Sequence, residues 1–365
     1  MIRIGIIGVG YWGPNLVRCF QESSECEVVY ICDRDEKKLD QMCKRFPQVI
    51  GTTDDAEVLR RDRVDAVVIA TPTKTHYRLA KRALEAGLHT FVEKPLATRS
   101  DECADLIDCA DANGCTLFVG HVFLYSAAVA KLKEIVSSGE LGEIYYISST
   151  RLNLGPVRRD VNALWDLAPH DTSIILELMG QSPISVSCSG LAYLDRRIHD
   201  VCNMTMQFPD NRIGMVHVSW LDPRKRRVMT VVGSKKMAVY DDIEPIEKIR
   251  IYDTGVHAAA DASSFGEFLY SYRYGDIHSP RINEGEPLKA EIRSFIDAIV
   301  KGTKPKTDGW NGLRVVEVIE AADKSLRDSG GHMPIARITP RRRSSNEITL
   351  SEAENGPLIV AGAGN

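Results

Sequence analysis

Along the first 120 residues, short continuous apolar runs alternate with stretches in which apolar positions recur every three or four residues. The runs at Ile2–Ile7, 27–32, 65–70, 89–92 and 116–119 predict strands. The stretches between them, among them 14–22, 75–86 and Ser100–Ala112, predict amphipathic helices. Apolar strands joined by helical crossovers belong in a parallel sheet covered on both faces. Right-handed crossovers make that sheet doubly wound.

After about residue 140 the pattern changes. Strand-like stretches at 143–153, 182–194, 201–208, 212–221, 227–233, 236–242 and 247–253 follow one another with fewer helices between. Several alternate: Met204, Met206 and Phe208 share one face, and Val216, Val218 and Trp220 another. Such a series predicts an open mixed or antiparallel sheet. Two helices follow, around Pro287–Lys301 and 313–329. The second half is therefore α+β. The expected division is 1–120, 121–340 and a loosely attached tail at 341–365.

Composition changes this picture little. Hydrophobic residues at 44% and charged residues at 26% fit a soluble globular chain of 365 residues. A net charge of −4 gives no general pull toward nucleic acid or anionic membrane. No apolar run approaches the ~20 residues of a membrane span. The N-terminus runs straight into a strand pattern, which leaves no room for a signal peptide. Nine cysteines without a CxxC pair fit free thiols of a cytoplasmic protein and no metal site.

The first strand runs into Gly8-Val9-Gly10-Tyr11-Trp12-Gly13 and then a helix. This G-x-G-x-x-G in a strand–turn–helix context is the dinucleotide fingerprint of a Rossmann domain. Gly8 permits the tight turn, Gly10 admits a pyrophosphate, and Gly13 allows close helix packing. The helix N-terminus then faces the phosphates. Asp33 ends the second strand, where an acid accepts hydrogen bonds from an adenosine ribose and repels a 2′-phosphate. That favours NAD over NADP, with Arg34 as the residue that would accommodate the phosphate. Thr71, Pro72 and His76 follow the next predicted strand and are further candidate cofactor contacts.

Glu93-Lys94-Pro95 closes another strand of the same sheet. A lysine there can hold a substrate hydroxyl and favour its alkoxide-like form. In the stretch LWDLAPHD, Asp166 stands four residues before His170, one helical turn away. Proline is tolerated at a helix start and costly inside, so a helix is expected to begin near Pro169. His170 in a first turn would tend to be neutral and ready to accept a proton.

These motifs occur in the order seen in the glucose–fructose oxidoreductase / inositol dehydrogenase / MocA family, which residues 1–335 resemble. The resemblance implies a Rossmann domain joined to an α+β domain, with Lys94, Asp166 and His170 meeting at the nicotinamide and His170 as acid/base. It places Tyr11, Trp12 and Glu93 beside the cofactor and implies a homo-oligomer, a tetramer before a dimer. Residues 120–129, 164–180 and 219–242 resemble the branch that oxidises nucleotide sugars, UDP-N-acetylglucosamine 3-dehydrogenases in particular. That implies oxidation of C3 to a 3-keto sugar, with Tyr125 among the substrate contacts. Ser126 stands where some chains of that branch have Asn. Arg151, Asn153, Arg158 and Arg159 precede the catalytic segment, and arginines there can hold a substrate pyrophosphate. Arg224 to Arg227 form a second basic run, read as a solvated face. Other readings are a dehydrogenase or ketoreductase of another sugar (a polyol, a hexose phosphate or a dTDP-keto sugar) and a cofactor-binding protein without turnover.

Overall fold

The computed structural model describes residues 1–258, 270–283 and 285–338. The expected tail at 341–365 lies outside them. The first sheet is built from β1 (Ile2–Ile7), β2 (Cys26–Cys32), β3 (Ile50–Thr52), β4 (Ala66–Ile69), β5 (His89–Glu93) and β6 (Leu117–Gly120). Its order is β3-β2-β1-β4-β5-β6, with every pairing parallel. Around it lie α1 (Gly13–Gln21), α2 (Glu36–Arg45), the short α3 (Asp55–Val58), α4 (His76–Glu85) and α5 (Ser100–Ala112). Buried β4, Ala-Val-Val-Ile, shows why its strand signal is a continuous apolar run. β3, a short edge strand of exposed and half-buried residues, carries no such run and was not anticipated.

The chain crosses through α6 (Ala127–Ser137) into β7 (Ile144–Leu152), then α7 (Ala163–Met179). Next come β8 (Ser185–Leu191), β9 (Val201–Gln207), β10 (Ile213–Ser219), β11 (Arg226–Gly233), β12 (Met237–Asp241), β13 (Ile249–Ala258) and β14 (Tyr270–His278). The chain ends in α8 (Pro287–Lys301), α9 (Gly309–Arg327) and β15 (Met333–Pro334). The second sheet runs β14-β13-β12-β11-β7-β10-β9-β8-β15. It is mixed, because β7 and β10 pair parallel while their other neighbours pair antiparallel. Val216 pairs with Met204, so the two alternating series are not on separate faces. Both turn onto one core with Trp220, α7 and α9.

The two halves share helices. α8 follows the second sheet in sequence, yet its Phe295 ring lies 5.6 Å from Phe91 and 5.3 Å from Phe118, inside the first sheet's core. α9 buries Leu313 and Val316 on the first-sheet side and Val315, Val318 and Ile319 on the other. This shared packing holds the carboxyl edge of the parallel sheet against α7.

α7 corrects an expectation. It begins at Ala163, not at Pro169, and Pro169 lies within it. Asn162 is the N-cap, accepting from the Trp165 N–H at 3.0 Å, and Gly180 closes the helix with φ 68°. Asp166 therefore sits in the first turn and His170 one turn further in. Among the described residues no helix is long and apolar enough to cross a membrane.

Candidate functional site

The glycine loop shows what each glycine is for. Gly8 has φ +98°, and a Cβ there would run into the Ala70 carbonyl. A Cβ on Gly13 would strike the Gly8 carbonyl, so the helix packs on the turn. A Cβ on Gly10 would meet nothing within 4 Å, which leaves open space over the loop. The start of α1 has no acidic residue and no side-chain cap. These features fit a diphosphate at the helix N-terminus. The Asp33 carboxylate accepts from the Val9 N–H at 2.8 Å and the Asp35 N–H at 2.9 Å. It is thereby pinned beside the glycine loop with lone pairs left over. Arg34 and Tyr11 are exposed nearby in sequence.

The His76 ring is buried and lies 2.8 Å from the carbonyls of both Thr71 and Pro95. It ties the loop after β4 to the loop after β5, while burial lowers its pKa. Its role in this structure is positioning. Thr71 bonds Thr75, hydroxyl to hydroxyl, at 2.7 Å. The Glu93 carboxyl accepts the Lys94 N–H at 3.2 Å, and burial raises it to about 7. The Trp12 side chain also bonds it.

Lys94, Asp166 and His170 converge at the carboxyl edge of β5. Lys94 Nζ donates to the Asp166 carbonyl at 2.8 Å and lies 3.8 Å from Asp166 Oδ1. Burial lowers the ammonium pKa, and Asp166 opposes that. The Asp166 carboxylate also accepts from Arg158 Nη1 at 3.2 Å and from the Trp220 indole at 3.1 Å. No hydrogen bond joins it to His170 among those described. The His170 ring lies edge-on to Phe123 at 5.0 Å, and its Nδ1 is buried without a partner. Its pKa is held well below the usual value by burial, then by the charges of Lys94, Arg151 and Arg227 and by His121. The expected neutral histidine is thus present for a different reason: its desolvated, cationic surroundings, not a helix terminus.

The arginines divide. Arg151, expected at a phosphate, is buried and bidentate to Asp171, at 2.6 and 3.3 Å. Its guanidinium also stacks over Phe123 at 4.5 Å. The Nε/Nη2 edge is thus taken by Asp171 and one face by the Phe123 ring, so Arg151 shapes the floor of the site and is held there by Asp171, away from the role of a free phosphate clamp. The burial of each residue, though not their pairing, had a local signal. Arg151 follows Ile147 and Ser149 on the inward face of β7, and Asp171 shares a helical face with buried Ile174, Ile175 and Leu178. Arg158 grips Asp160 and touches Asp166, so it joins the cluster of Lys94, Asp166 and His170. Arg159 is exposed and lines an adjacent cleft. Asn153 is half-buried, its backbone N–H bonding the Ser219 carbonyl. The Tyr125 hydroxyl bonds Thr307 and Ser294, which engages it between helices. Arg224 to Arg226 are exposed, whereas Arg227 pairs with Asp242 and reaches the Phe123 ring. Phe123 and Asp171 were not singled out from sequence, and Trp220 only as an alternating strand position, because only the fold brings them to the trio.

Comparison with known proteins bears on both halves. A model described as oxidoreductase family, NAD-binding Rossmann fold, matches residues 2–121. The GFO/IDH/MocA C-terminal domain matches residues 129–239. The UDP-N-acetylglucosamine 3-dehydrogenase of Acidithiobacillus ferrooxidans is 26% identical over 86% of this chain and 94% of that protein. Its solved structure superposes with a TM-score of 0.76 at 22% identity, covering 90% of this chain and 98% of that one. The myo-inositol 2-dehydrogenase of Thermotoga maritima is 24% identical over 90% of this chain and 97% of that protein. The structure of GenD2 from gentamicin A biosynthesis, in complex with NAD, superposes with a TM-score of 0.77 at 22% identity. It covers 92% of this chain and 97% of that one.

Proposed function

The chain belongs to the GFO/IDH/MocA oxidoreductase family, and from that membership we propose that it is an NAD-dependent dehydrogenase of a nucleotide sugar. The favoured reaction oxidises C3 of a UDP-N-acetylhexosamine to the 3-keto sugar. The observation that carries the chemistry is the gathering of Lys94, anchored on Asp166, with His170, whose Nδ1 has no partner and whose pKa is lowered by burial and by the Lys94 charge. NAD, held at the Gly8–Gly13 loop and Asp33, would supply the hydride acceptor for the sugar carbon. The chain supplies the rest. His170 takes the hydroxyl proton, because it is unprotonated and its Nδ1 has no other partner. Lys94 stabilises the developing alkoxide. Asp166, gripped by Arg158 and Trp220, holds the Lys94 chain in place. Similarity to the UDP-N-acetylglucosamine 3-dehydrogenase supports the substrate. Similarity to the myo-inositol 2-dehydrogenase supports oxidation of a free polyol as the second reading.

The test is NAD and NADP reduction with UDP-N-acetylglucosamine, dTDP-sugars, glucose 6-phosphate and inositol. Turnover with the UDP-sugar and tighter binding of NAD are expected. The second follows from Asp33, whose charge repels a 2′-phosphate. Preferred oxidation of inositol would hand the function to the polyol reading, and tighter NADP binding would transfer the ribose site to Arg34.

A further inference from the structure

Beside the catalytic trio lies a cleft of about 400 Å³, within the size range of small-molecule sites. Its walls come from both halves of the chain: the loops after β4 and β5, the approach to α7, and the last turns of α9. Six cationic side chains line it. Four are already paired: Arg99 with Asp101, Arg197 with Asp195, Lys324 with Glu320, and Arg327 with Asp323. The other two, Lys74 and Arg159, have no ion pair or side-chain hydrogen bond among those described. Lys74 comes from the parallel-sheet half and Arg159 from the loop before α7. An unpaired cation from each half at one cleft is not needed to hold either half together.

Two further features give the cleft a ligand preference. Asn162, the N-cap of the 17-residue α7, lines it, which brings the positive end of that helix dipole near the cleft, while the Ala163 and Trp165 N–H groups are bonded to His199 and Asn162. The half-buried indole of Trp165 adds an aromatic wall of the kind on which a base can stack. The cleft also connects to the chemistry. Asp160 lines it and is gripped by Arg158, which in turn touches Asp166. A molecule in the cleft therefore lies two side-chain contacts from the catalytic carboxylate.

We propose that this cleft binds the nucleoside diphosphate end of the substrate, with Lys74 and Arg159 as its charged contacts from the two halves of the chain. The inference rests on the nucleotide-sugar reading above and adds a subsite to it. Lys74 shares its loop with Thr71 and Pro72, so an occupied cleft bridges the cofactor loop and α7.

The experiment is titration calorimetry of the full chain with NAD present, using UDP and, separately, inorganic pyrophosphate. Lys74→Gln and Arg159→Gln are each expected to weaken both ligands by ~10-fold or more, the scale of one charge-assisted phosphate contact. Arg99→Gln removes a paired cation from the same lining and should stay within twofold. Unchanged NAD affinity in each variant reports an intact fold. Equal UDP affinity in the double variant and the parent would overturn the proposal. So would an equal loss with Arg99→Gln, which would make the effect a general field. If UDP binding depends on Lys74 and Arg159 but no UDP-sugar is oxidised, the cleft stands and the reaction reading falls.

Discussion

Glu291, buried, and His170, half-buried with a buried Nδ1, are titratable groups with opposite consequences. Glu291 on α8 is fully buried and both its carboxyl oxygens lack a partner. Burial, then the neighbouring Glu93 charge, raises its pKa well above the usual carboxyl range. In the unfolded chain it ionises near 4.3. Between that value and its folded pKa the folded state binds the extra proton, so stability falls as pH rises. Glu291→Gln keeps the shape without the ionisation. It should raise stability by about 1–3 kcal/mol at pH 8, the scale of removing a carboxyl whose ionisation burial opposes, with the gain fading toward pH 4. Thermal unfolding at the two pH values checks this, and a gain equal at both would refute the charge argument. For His170 the folded pKa is depressed, so the contribution is full above about 6.5 and is lost as pH falls below it. The imidazole therefore stays neutral further into acid than a free histidine does. His170→Ala should lower turnover by a factor of ~100 or more with NAD affinity kept. Turnover within threefold of the parent would remove His170 as proton acceptor. Lys94 and His170 were legible because strand ends and four-residue spacings are local facts. The pairing of Arg151 with Asp171 was not, since it joins a strand and a helix whose packing is tertiary.

At the scale of elements, α7 shows where local rules stop. An interior proline costs about 3 kcal/mol in an isolated helix. Here twelve of the seventeen residues are buried, Pro169 among them, and burying a large aliphatic side chain yields roughly 1.5–3 kcal/mol. Packing against α9 and the second sheet therefore outweighs the proline penalty, and the helix runs through. The consequence is functional. With the start moved to Ala163, Asp166 and not His170 occupies the first turn, where a carboxylate is favoured by the dipole. The helix N-terminus is left facing the cleft beside Arg159. α5 and α8 were predicted to the residue, because periodicity agrees with the fold in both, and in α8 Pro287 at the start and Gly302 after the end mark the bounds.

For the whole molecule, the second sheet leaves one face without a covering layer among the described residues. Tyr146, Ile213 and Val232 lie side by side on it, next to Met237 and Tyr252. Such an apolar face is a natural subunit contact. A homo-oligomer is expected, with a tetramer ahead of a dimer, and a monomer mass by light scattering at micromolar concentration would refute it. Both layers were readable in advance. Continuous apolar strands alternating with amphipathic helices specify a parallel sheet, and period-two strands specify a sheet with one inner face, because each pattern follows from which sides a strand must bury. The glycine loop was readable too, since the turn itself demands those residues. What only the tertiary structure decided is which polar side chains meet. The late helix α8 returning to the first sheet, Arg151 sinking onto Asp171, Arg158 closing on Asp166 and His170 losing its charge all depend on groups distant in sequence sharing a desolvated space. Desolvation and charge pairing are set by three-dimensional neighbours, and no local pattern encodes them.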